Sequence, residues 1–164
     1  MMTLLHRLEG CLNELLEQHE QLLVLIRRKQ DAMRTGDTQQ IIDFCQEEEK
    51  LATRMRVADI RRRTLAMELC NVIGAEKSQD NLKFSTLLEY ADEPDKSRMR
   101  ELDAKLQDVV KAVKHETSVT RQVADALLKQ MHELMQIVRG GGDPKTYGQR
   151  VESQAAALSW VATA

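Results

Sequence analysis

A three-four rhythm of apolar residues, unbroken from the first turns of the chain, limits what it can fold into more than any other feature. The positions Leu5, Leu8, Leu12, Leu15, His19, Leu22, Ile26, Lys29 and Met33 alternate in steps of three and four, and only His19 and Lys29 among them are polar. That mean spacing puts all of them on one stripe of an α-helix, and no strand has such a period. The first helix is therefore expected from Thr3 to Thr35. Gly36 supplies a C-terminal stop, and Asp37 with Gln40 three residues later forms a capping-box-like restart. A connection this short folds the next helix back antiparallel. Its own seam runs Ile41, Phe44, Glu48, Leu51, Met55, Ala58, Arg62, Leu65, Leu69 and Val72 before Gly74 ends it. Each helix should reach on the order of 50 Å, giving a rod-like hairpin. Further apolar residues beside the seams, Leu4, Cys11, Leu16, Leu23, Leu25, Ile42 and Cys45, widen the stripe enough to accept another helix.

The rest of the chain should supply that helix. A short amphipathic segment spans 78–91, and Pro94, following Asp92 and Glu93, suits the first turn of a new helix that could continue to Arg139. Its stripe reads Met99, Leu102, Leu106, Val109, Val113, then polar Glu116 and Thr120, then Val123, Leu127, Leu134 and Ile137, with a shifted line through Leu128, Met131, Met135 and Val138. Lys114 to Thr120 is the weak point of this seam. Gly140, Gly141, Gly142, Asp143 and Pro144 then open a linker, and Val151, Ala155, Leu158, Trp160 and Val161 could form one side of a short helix with little else to anchor it. The expected fold is all-α: an elongated antiparallel helical bundle over 1–139, composed of a coiled-coil-like hairpin (3–73), a short helix (78–91) and a third long helix (94–139). A flexible linker and mobile amphipathic tail over 140–164 follow.

Composition narrows the function. With 24 basic and 26 acidic residues and a net charge of −2, the chain lacks the field to hold nucleic acid or anionic lipid by charge. The run Arg61, Arg62, Arg63 points around different sides of a helix just downstream of Glu47, Glu48 and Glu49, as a salt-bridged surface would. Three cysteines without a CxxC pair suit a reducing compartment, and no long apolar run suggests a signal peptide or membrane span; a cytoplasmic protein is expected. None of His6, His19, His115 and His132 has Glu three residues before it, and no HExxH occurs, so no metal is assigned. "GGGDPKT" lacks the Gly before its Lys, and the strand ahead of it, that a phosphate loop needs. No cofactor, catalytic set or enzymatic activity is expected, and the partner should be protein.

Leu127, Met131, Leu134, Met135 and Val138 form an adaptable apolar surface, since unbranched thioethers repack against different partner helices. The surface immediately precedes the glycine hinge and the tail, so the two together could clamp a helical segment of another protein. Taken with "KQDAMRTGDTQQIIDFCQEEEKL" at the first turn, "RRRTL" in the second helix, the long later helix and the closing "KTYG", nearly the whole chain resembles the FlgN-type flagellar export chaperones. The resemblance implies a cytoplasmic helical protein of the flagellar type III secretion system. Such a protein binds hook-associated (hook-filament junction) subunits through their helical C-terminal regions, prevents premature assembly and delivers them to the export apparatus. It also implies contact roles for Tyr147, Leu158 and Trp160, with Val151 on the same tail. The rival reading is a structural coiled-coil interaction protein without a chaperone role. Client identity, stoichiometry and homo-oligomerisation through the exposed stripe are left open.

Overall fold

A computed structural model of the chain describes residues 2–73, 88 and 92–140. Among these the elements are three helices, α1 (Met2–Thr35), α2 (Thr38–Ile73) and α3 (Glu93–Gly140). The all-α expectation holds. The short helix expected over 78–91 lies outside the described residues except at Leu88, which is helical and buried. The linker and tail expected over 140–164 lie outside them except at Gly140. By packing, the chain divides into two units, Met1–Val123 and Ala124–Ala164; α3 contributes to both.

The turn between α1 and α2 shows why two long helices can reverse in so few residues. Gly36 adopts φ +70°, the left-handed region that an L side chain enters only with strain. There the Gly36 N–H donates to Met33 O (3.3 Å) and the Asp37 N–H to Ala32 O (3.0 Å), the paired closure of a Schellman motif. Asp37 then caps α2, its Oδ1 accepting the Gln40 N–H at 3.0 Å. In a reciprocal capping box the Gln40 side chain would bond the Asp37 backbone N–H. Since that N–H already closes α1, the Gln40 Nε2 donates instead to Asp37 Oδ2 at 2.8 Å.

The core of the first unit lies at the end of the hairpin away from this turn. Leu5, Leu8, Cys11 and Leu12 of α1 pack with Leu65, Leu69 and Cys70 of α2, with Leu88, and with Met99 and Leu102 of α3. Leu8 and Leu69 are fully buried. Ala58 is also fully buried, and its small side chain lets α1 come close enough for the Cys11 thiol to donate to Ala58 O at 3.2 Å. Burial raises the pKa of Cys11, reinforced by the nearby Glu14 carboxylate, and burial likewise raises that of Cys70. The seam departs from the sequence reading at its end: Val72 is exposed and Ile73 packs against the core instead. In a straight helix a strict heptad line drifts around the surface, so two steps of four from Leu65 through Leu69 reach Ile73. Ile42 and Cys45, read as part of the widened stripe, are exposed, because the core that recruits a third helix sits at the other end of α2.

Polar interruptions in the seams meet partners on other helices. Lys29 of α1 pairs with Glu48 of α2. Farther along α3, the Gln30 Nε2 donates to Thr120 Oγ1 (3.0 Å), Glu116 Oε2 (3.1 Å) and Glu116 O (3.2 Å), while Arg27 lies 3.3 Å from Glu116. The interruption expected at Lys114 to Thr120 is thus a polar pin between α1 and α3. With Met99 and Leu102 near the start of α1 and Glu116 and Thr120 near its later turns, α3 runs parallel to α1 within the first unit.

Candidate partner-binding surface

The stretch of α3 from Ala124 to Gly140 is rich in Ala, Leu, Met and Gln, side chains without β-branching that lose little freedom in a helix. It needs no tertiary support to explain its helicity locally. Its apolar residues recur at i, i+3, i+4 and i+7, so Leu127, Leu128, Met131, Leu134, Met135 and Val138 share one face. Five of the six are exposed, from 43% at Leu134 to 64% at Leu128 and 84% at Val138, and Leu127 is half-buried. On the same helix Met99 is 2% and Leu102 8% exposed. One periodic pattern thus has two fates, covered in its first half and open in its second. A contiguous apolar stripe open to water is the kind of surface that interaction sites use, unlike scattered surface leucines.

Polar residues edge the stripe. Asp125, Lys129, His132, Gln136 and Arg139 are exposed, and the Gln136 Nε2 lies 3.0 Å from His132 Nε2. A donating amide there requires that ring nitrogen to be the acceptor, which puts the imidazole proton on Nδ1. Of the nine residues assigned to partner binding from sequence, the structure places Leu127, Met131, Leu134, Met135 and Val138 together on this face. Tyr147, Val151, Leu158 and Trp160 lie outside the described residues. Leu128, from the shifted line, was not among the nine, yet it is one of the most exposed members of the stripe; its spacing from Met131 and Met135 was the available signal.

A second concavity, not foreseen from sequence, lies within the first unit. Leu15, His19 and Leu22 of α1, Met55 and Arg62 of α2 and Leu106 of α3 help line a groove of about 610 Å³. It arises because α1 and α2 are the closely packed pair, while α3 approaches them through side chains. The His19 Nδ1–H donates to Leu15 O at 2.7 Å, a bond within its own helix that orients the ring. The signal for the groove was present in the seam itself, where the polar interruptions His19 and Arg62 stand on facing helices.

Arg61 pairs with Glu14 across the hairpin at 2.9 Å, and Arg62 and Arg63 both pair with Asp59 at 2.9 Å, the salt-bridged surface expected of that run. Among the described residues no group of three or more His, Cys, Asp or Glu side chains is placed to hold a metal ion, and no helix is long and apolar enough to cross a membrane. Compared with known proteins, the chain is similar over residues 1–154 to a family model described as FlgN protein. No curated protein and no solved structure matches it.

Proposed function

Because this chain belongs to the FlgN family, a family of flagellar export chaperones, we propose that it captures helical C-terminal segments of hook-associated proteins on the open face of α3 and presents them to the export apparatus. The observation that supports this reading is the uncovered second half of the α3 stripe. A client helix would lay its own apolar face along Leu127, Met131, Leu134, Met135 and Val138 in the helix-on-groove mode. The two methionines would adjust to clients of different shape. Tyr147, Val151, Leu158 and Trp160 would close over the client from the tail, where aromatic side chains supply much of the contact energy at little entropic cost.

Occupying an otherwise sticky helix prevents its premature polymerisation, and the action needs no catalytic step. It takes place in the cytoplasm, before secretion. Since the client must be released for export, the stripe is suited to reversible capture: a short row of flexible aliphatic contacts dissociates more readily than a large interdigitated interface.

The test uses Trp160 as the reporter. Titrating the full chain with a synthetic peptide from the C-terminal helix of a hook-associated protein should blue-shift Trp160 emission. Met131→Asp combined with Val138→Asp should weaken binding about 100-fold, the loss expected when charge enters the centre of a desolvated contact. Emission indifferent to every hook-associated segment, or unchanged affinity in the double variant, would overturn the reading.

A further inference from the structure

The hairpin seam of α2 is not its only three-four line. On the exposed side of the helix Thr53, Val57, Ile60, Thr64 and Met67 follow one another in steps of four and three. All five are exposed. The two threonine hydroxyls turn back on their own helix, Thr53 Oγ1 donating to Glu49 O at 3.0 Å and Thr64 Oγ1 to Ile60 O at 3.1 Å. Each threonine thus adds a methyl group, and no unmet hydroxyl, to the row. With one residue at each step, the row is narrower than the apolar face of a helix that lies in a core or on a lipid surface, and it matches a coiled-coil seam.

The positions that flank this seam are uniformly basic. Arg56 and Arg63 precede Val57 and Thr64, and Arg54 and Arg61 follow Thr53 and Ile60, the places from which charges reach across to a partner helix in a coiled coil. All four are exposed. Among the described residues Arg54 and Arg56 make no ion pair. Arg61 pairs with Glu14 and Arg63 with Asp59, both at 2.9 Å, but exposed pairs of this kind contribute little. Asp59 also keeps Arg62 at 2.9 Å when Arg63 turns away. We propose that this face of α2 is a docking surface for a helix of another protein whose apolar heptad seam is flanked by Glu or Asp.

Charge selects this occupant over others. A second copy of the chain is disfavoured on this face, because arginine would meet arginine in either orientation. In a parallel pair Arg56 faces Arg61, and in a fully overlapped antiparallel pair Arg56 faces Arg63 and Arg54 faces Arg61. A phosphate backbone would neutralise the arginines but leave Val57 and Ile60 uncovered, and the narrow row offers little apolar surface to seat in a lipid interface. An acidic heptad helix covers the row and answers each arginine. Beyond Met67 the flank turns acidic at Glu68, which limits the site to about two heptads and the affinity to the micromolar range. The surface lies within the first unit and shares no residue with the α3 stripe, so the proposal stands apart from client capture.

The test uses a labelled synthetic helix about three heptads long, with Leu at both seam positions and Glu at every flanking position, titrated with the full chain and followed by fluorescence anisotropy. Repulsion among its own Glu residues keeps the peptide from pairing with itself. Binding is expected at roughly 1–50 µM in about 50 mM salt and should weaken as salt rises. The same peptide with Lys in place of Glu should bind at least about tenfold more weakly. Arg54→Glu with Arg56→Glu should reverse that preference, and Ile60→Asp should weaken Glu-peptide binding roughly tenfold, with helicity unchanged by circular dichroism. Met131→Asp with Val138→Asp, which removes the α3 stripe, should leave Glu-peptide binding intact. Absent binding, equal binding of the two peptides or loss of binding in the α3 double variant overturns the proposal, as does capture of the chain by phosphatidylglycerol vesicles in preference to the peptide.

Discussion

Gln30 is 7% exposed, and its two amide N–H groups are shared among three acceptors on α3. The Thr120 hydroxyl accepts one of these bonds and itself donates to Glu116 O at 2.8 Å, so the hydroxyl's donor and acceptor capacities are both used. Hydrogen bonding from Gln30, aided by Arg27, holds the Glu116 carboxyl below the ordinary carboxylate range. A folded-state pKa below the unfolded one stabilises the fold above the unfolded value, near ~4.3 for Glu. That contribution is lost as pH falls through the lowered folded value. Gln30→Ala should therefore cost about 1–3 kcal/mol at neutral pH, and the gap from wild type in urea unfolding should narrow as pH falls below about 4. A gap constant from pH 7 to pH 3 would mean that the carboxylate contributes nothing. Glu116 and Thr120 were legible in the sequence as breaks in a stripe, but Gln30 was not. It lies off the seam of α1, and only the approach of α3 gives it a partner.

At the scale of elements, the reversal after α1 was the most legible feature, because its causes are local. A residue at φ +70° calls for glycine, and a cap three residues before a Gln needs no distant partner. Gly36→Ala should cost about 1 kcal/mol or more through left-handed strain, since no neighbouring atom lies within 4 Å of an added Cβ. Asp37→Ala should cost about 1 kcal/mol for the lost cap, while Asp37→Asn should stay near wild type. Urea midpoints of the three variants check this, and an Asn variant as unstable as the Ala one would contradict the capping account. The end of α2 was less legible. Choosing between Val72 and Ile73 depends on how far a heptad line drifts over the helix, and the position of a core outside the hairpin settles it.

For the whole molecule, the division into Met1–Val123 and Ala124–Ala164 separates the residues that hold the fold from those proposed to bind. The buried core runs from Leu5 to Leu102 in sequence. Deleting everything after Arg139 should accordingly leave far-ultraviolet helicity and the urea midpoint nearly unchanged while abolishing capture of a hook-associated peptide. A truncated chain that binds as tightly as the full one would remove the tail from the proposed site. By itself the sequence determined the helices, their reversal at Gly36 and the continuous amphipathic stripe of α3, because helical periodicity and capping depend on neighbours within a few residues. Only the tertiary structure decided which half of that stripe is covered, because burial depends on what another helix brings to the face: Met99 and Leu102 meet α1 and α2, while Met131 and Val138 stay open to water.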